Sequence, residues 1–187
     1  MMVSLMSLWL PILIGAALVF IASSIVHMVL PYHWNDFGTV PKQDEVAAAL
    51  RPFAIPPGDY MLPRPASRKD MKTPAFQDKV NKGPVVAMTV FPSGQFAMGK
   101  QLALWFVYCA VIGLFAGYVA SRTLDPGTEY LQVFRVTGTV AFAGYGLALL
   151  QGSIWFGRRW STTLKAVADA LVYGLLTAGA FGWLWPS

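Results

Sequence analysis

Charge is what this chain has least of. Only 12% of its 187 residues are Asp, Glu, Lys or Arg, and none of these occurs before Asp36. A soluble domain carries about a quarter of its residues as charges, so this shortage, with 56% hydrophobic residues, excludes an ordinary soluble protein. Cysteine is nearly absent too. The single Cys109 rules out an intrachain disulfide and any cysteine-cluster metal motif, and its place inside an apolar run reads as a packing thiol. There are two histidines, His27 and His33. No glycine-rich dinucleotide fingerprint and no nucleophile with an evident base is present, so catalytic and cofactor-binding residues are assigned as none and no cofactor is expected. The 14 basic residues exceed the 9 acidic ones, but the excess lies in the connections between apolar runs. That placement suits anionic lipid headgroups and speaks against nucleic acid as a partner.

What the chain does have is long apolar runs. Residues 8–30 extend about 35 Å as a helix, enough to cross a bilayer core of roughly 30 Å. Residues 102–120, 136–156 and 164–185 fall in the range of about 17 to 25 that a spanning helix needs. The predicted fold is therefore an all-α membrane protein, one membrane domain over 1–187 with four transmembrane helices. The opening run lacks the basic n-region of a secretory signal and is too long for one, so it is expected to stay.

Between the first two runs, residues 32–100 hold fifteen of the 23 charges and nine of the 13 prolines. This reads as a water-facing insert of roughly 70 residues, too small for a core of its own. Within it, 41–51 and 73–82 read as short helices, 85–91 as a β-type run, and Pro56-Pro57-Gly58-Asp59 as a turn. The other connections are short, so neighbouring spans run antiparallel. Trp34, Trp105, Trp155 and Trp160 then fall at one end, and Trp9, Tyr118, Tyr130, Trp183 and Trp185 at the other, as two interfacial belts. Arg158, Arg159 and Lys165 flank the third connection against Arg122 and Arg135 at the second, which places the insert and third connection in the cytoplasm.

Small residues recur every fourth position on the fourth span, at Ala166, Ala170, Gly174, Ala178 and Gly182. Gly144, Ala148 and Gly152 do so on the third, and Cys109, Gly113 and Gly117 on the second. Such stripes allow close helix approach; closing the monomer's own bundle is the preferred reading over a homodimer seam, with room for a membrane-protein partner.

Three polar patterns were weighed as chemistry. Gly94 to Gln101 nearly matches a phosphate-binding loop, but Gln101 stands where Ser or Thr should hold magnesium, and a membrane span follows. His27, His33 and Asp36 form H-x5-H-x2-D, which matches no metal motif and lacks a third histidine, so the metal assignment is none. His33 between Tyr32 and Trp34 reads as an interfacial anchor. The third pattern is a depth match: Ser23, His27, Gln151 and Asp169 lie at one level near the insert-side end and form a candidate polar cluster centred on a His27–Asp169 contact. The rival arrangement pairs Asp169 with Lys165 and His27 with Ser23, each at i,i+4. Arg135, near the opposite end, is expected to pair with Glu129 or Asp125.

The segments SSIVHMVLPYH, PPGDY, GPVVAMTVFPSG and SIWFGRRWSTTLK, with the closing FGWLWP, together resemble a group of short uncharacterised bacterial membrane proteins with four predicted spans. The resemblance implies a bacterial inner membrane and no activity. The expected function is a non-enzymatic accessory or scaffold subunit. The alternatives are a small oligomeric carrier or proton-linked permease, and a membrane enzyme or metal site using His27 with Asp36 or Asp169.

Overall fold

The structure, a computed structural model, describes residues 3–94 and 97–187. It divides into two compact units, Met1–Phe37 with Ala97–Ser187, and Gly38–Phe96. Among the described residues four helices are long and apolar enough to cross a membrane: Leu5–Val29, Gly99–Thr123, Tyr130–Phe156 and Trp160–Trp183. These are the four expected spans, each within a few residues of its predicted limits, and the chain is a multi-pass, predominantly helical membrane protein.

Span one is the helix α1 (Trp9–Ser24) continued by a π-helical turn, Ile25–Val29. Pro31 explains where it stops. The residue before a proline is pushed out of helical backbone, and Leu30 is extended, its N–H donating to the Ile25 carbonyl five residues back. Span two is α4 (Gly99–Thr123) and span four is α7 (Trp160–Trp183). Span three is broken: α5 (Tyr130–Gly146) passes through a 3-10 turn at Leu147–Leu149 into α6 (Leu150–Phe156). Each span packs against its two neighbours in a ring, one on two, two on three, three on four and four on one.

Small residues bring these helices together. A Cβ on Gly174 would stand 3.2 Å from the Phe142 backbone nitrogen and 3.3 Å from the Gly138 carbonyl oxygen, so spans three and four meet backbone to backbone. Ala170 and Ala178 lie against Gly146 and Gly138 in the same seam, and Gly182 against the Tyr130 ring. The stripe on span four therefore closes the bundle. Its counterpart on span three is Gly138 and Gly146, not the predicted row. Gly144, two residues before Gly146 and so about 200° round the helix from it, faces Ile112 of span two; Ala148 is exposed in the 3-10 turn and Gly152 beyond it lies beside Arg158. On span two, Gly113 meets Ile12 of span one, while Gly117 meets Phe181 of span four; Cys109 is buried. Ala166 lines a cleft described below.

The first six residues of the predicted insert, Tyr32 to Phe37, belong to the membrane unit, and Gly99 and Lys100 already belong to α4. The compact unit between the spans is thus shorter than the 32–100 insert. It contains α2 (Gln43–Leu50), α3 (Pro74–Lys82) and an antiparallel hairpin of β1 (Gly58–Leu62) and β2 (Val86–Val90). Thr73 caps α3 by accepting the Phe76 N–H, and none of the unit's described residues is buried, in keeping with a piece too small for a core. Strand β1 was unforeseen, since PPGDYML reads locally as a turn and its pairing partner is distant in sequence. Gln95 and Phe96, inside the near-match to a phosphate loop, lie outside the described residues.

Seven of the nine expected belt residues are exposed; of the other two, Trp185 is half-buried and donates its indole N–H to the Asp125 carbonyl at 3.0 Å. Trp34, Trp155 and Trp160 are exposed at one end, and Trp9, Tyr118, Tyr130 and Trp183 at the other. Trp105 instead turns inward and donates its indole N–H to Ser23 Oγ at 2.8 Å.

The seam predicts an asymmetry on span four. Gly174→Val should lower stability by about 1–3 kcal/mol through overpacking, whereas Leu175→Ala, on the exposed face, should stay within about 0.5 kcal/mol. Thermal unfolding of the detergent-solubilised variants measures both.

Candidate functional site

The segment after Pro31 returns to the bundle and builds the most highly charged part of the membrane unit. The 3-10 turn Pro31–His33 is followed by a second three-residue turn, closed by the Asp36 N–H donating to the His33 carbonyl at 3.0 Å, and side chains three apart on such turns stand on one side. His33 and Asp36 therefore meet, the His33 Nδ1–H donating to Asp36 Oδ2 at 2.6 Å. The other ring nitrogen points into the membrane domain, where its N–H donates to Asp169 Oδ2 at 2.8 Å. Two carboxylate acceptors on one imidazole are both satisfied when the ring is doubly protonated. His27, from the π turn of span one, stacks on His33 with ring centroids 4.2 Å apart and 23° between planes.

Span four supplies the rest from one face. Lys165 donates to the Tyr32 carbonyl at 2.7 Å and to Asp36 Oδ1 at 3.1 Å, with its ammonium over the Tyr32 ring. Asp169, one turn further on, is 7% exposed. Two carboxylates, Asp36 and Asp169, thus face one imidazole, His33, and one ammonium, Lys165. Burial raises the Asp36 carboxyl, but the hydrogen bonds from His33 and Lys165 outweigh it and hold the group below the ordinary carboxylate range.

Ligating atoms of His27, His33 and Asp169 all lie within 4.8 Å of one another. Two imidazoles and a carboxylate are ligands for a first-row divalent ion, and Asp36 stands behind His33, where such a ligand normally has a carboxylate partner. His27 and Asp169 also open onto a cleft of about 580 Å³. All four spans contribute to its wall, including Gln101, Trp105, Tyr145 and Tyr173. The Tyr173 hydroxyl is buried there without a hydrogen-bond partner among the described residues. Both helical irregularities, the π turn carrying His27 and the 3-10 turn carrying Leu149, border this cleft. π turns inside helices are frequent at functional sites.

The polar residues singled out from sequence are partly brought together. His27 and Asp169 share the site, with His33 between them as the direct partner of Asp169. Ser23 is elsewhere, donating to the Phe20 carbonyl and accepting from Trp105, and Gln151 is exposed. The i,i+4 rivals do not form either: Lys165 turns to Asp36, and Ser23 to Phe20. His33, read as an interfacial anchor, is the hub. Its signal was the H-x2-D spacing directly after a proline, which favours a tight turn with both side chains on one side.

No family model, curated protein or solved structure matches this chain, so the reading of the site rests on its own geometry.

The ion-pair network predicts strong coupling between His33 and Asp169. His33→Ala should destabilise the protein by about 3–5 kcal/mol by leaving a buried carboxylate uncompensated, and Asp169→Asn in the same background should recover part of that loss. A double-mutant cycle on thermal or denaturant unfolding gives the coupling directly.

Proposed function

We propose that this protein is a membrane-embedded metal-binding protein with a divalent transition-metal centre of the open, catalytic type. The observation that carries it is the convergence of His27, His33 and Asp169 beside a cleft, with Asp36 supporting His33 from behind. Three protein ligands leave a coordination position free, whereas structural zinc sites close all four. A metal there acts as a Lewis acid and lowers the pKa of bound water to about 7. His27, His33 and Asp169 would hold the ion, His33 through Nε2 after release of any Nε2 proton to solvent, with its Nδ1–H kept on Asp36 to fix the ring's tautomer.

One observation favours a second reading. His33 already bridges both carboxylates, so the network is complete without any ion and serves as a polar lock between span four and the segment after span one. That suits an accessory or scaffold subunit. Metal analysis of the purified protein separates the two: the metal centre predicts about one zinc or similar ion per chain, lost in His27→Ala and Asp169→Ala. Asp36→Asn should weaken affinity about 10–100-fold. A metal-free protein that gains no ion on titration, yet keeps the His33–Asp169 coupling, overturns the metal reading in favour of the lock.

The location belongs to the same proposal. The chain resides in a bacterial inner membrane with the Gly38–Phe96 unit in the cytoplasm, supported by Arg158, Arg159 and Lys165 beside the third connection. In a Cys109→Ser background, an impermeant thiol reagent applied to intact cells should label Thr128→Cys and spare Ser67→Cys. The reverse pattern inverts the orientation.

A further inference from the structure

A second feature lies towards the other end of the bundle and shares no residue with the histidine–carboxylate cluster or its cleft. Arg135 is an exposed residue of span three, five positions inside Tyr130 and so about 7.5 Å deeper. Tyr130 and Trp183 stand exposed near this end, where such rings mark headgroup level. Expected to pair with Glu129 or Asp125, Arg135 instead has no hydrogen bond or ion pair among the described residues, while Asp125 has a partner. A guanidinium without a counter-ion on the lipid-facing side of a span is costly, and it is retained where it meets an anion.

The surface beside it is shaped. Arg135 borders a groove of about 280 Å³ between spans three and four, running past Thr139 to Phe142 on one side and along Leu171, Gly174 and Leu175 on the other. Gly138 and Gly174, where the two helices meet backbone to backbone, line the groove, and Phe142 lies seven residues beyond Arg135, about 10 Å deeper. A cation near the headgroup level and an apolar channel leading from it towards the bilayer centre match one kind of molecule found at that depth.

We propose that this groove binds an anionic phospholipid, its phosphate paired with Arg135 and the first part of one acyl chain lying between Phe142 and Leu171. Arginine suits the role because its planar fork takes a phosphate through two parallel hydrogen bonds, and long basic side chains reach from within a span towards the interface. The site is independent of the metal centre and stands or falls without it.

Native mass spectrometry on the full chain in mild detergent, titrated with phosphatidylglycerol and with phosphatidylcholine of the same acyl chains, tests this. The expected result is about tenfold tighter retention of phosphatidylglycerol, a difference of about 1.4 kcal/mol. Arg135→Gln should remove that preference, and Arg135→Lys should keep part of it. Thr139→Trp, which fills the groove and leaves the charge, should weaken both lipids and stands in if Arg135→Gln does not fold. Millimolar glycerophosphate should displace neither lipid. Equal retention of the two lipids by the unaltered protein, an undiminished preference in Arg135→Gln, unchanged binding in Thr139→Trp, or displacement by glycerophosphate would each overturn the proposal.

Discussion

A carboxylate buried among membrane helices sets the terms for this structure. Asp169 sits a little over two turns into span four, and an acid at such a place stays charged only if the fold brings it a partner. The partner comes from outside the spans. The chain leaves span one, turns at Pro31 and returns His33 to Asp169, and Asp36 and Lys165 then balance the remaining charge. The position of the segment after span one, the direction in which span four presents its polar face and the local breach in span one all serve this one contact.

Apolar packing alone would leave that arrangement loose. Large side chains point outwards to lipid while the helix contacts are made by glycine, alanine, serine and threonine, so the bundle is held by close backbone approach rather than by interlocking bulk. Larger side chains fill two clusters between these contacts: Val19, Ile112, Tyr145 and Tyr173 in one, and in the other Phe181, a wholly buried ring against Gly117 at the end away from the charges.

The spans were legible because lipid imposes one requirement on every exposed position, and a run of twenty apolar residues reports it without knowledge of the fold. The depth of His27 and Asp169 was legible for a related reason: helical rise converts sequence number into height. What height does not give is azimuth. Gln151 and Ser23 lie at the right level and face elsewhere, and Gly144 shares a spacing of four with Ala148 and Gly152 yet stands on the opposite side of the helix from Gly138 and Gly146, which spacing alone does not reveal. His33 was missed as the partner of Asp169 because it stands 136 residues from it, and only the folded chain brings it there. Strand β1 was hidden by the same kind of distance, since its partner β2 lies beyond an intervening helix.

The π turn at Ile25–Val29 has a geometric meaning of its own. A π turn is an α-helix with one residue too many, and one residue of an α-helix is about 100° of rotation. Residues before it, such as Ala16 and Val19, are wound in phase with the neighbours they pack on; the turn absorbs the extra residue, and the chain beyond it leaves the membrane on a different bearing. Span one thus answers to two alignments at once, a packing face set by its first four turns and a histidine-bearing tip set by the turn at its end, and the surplus residue is the gear between them.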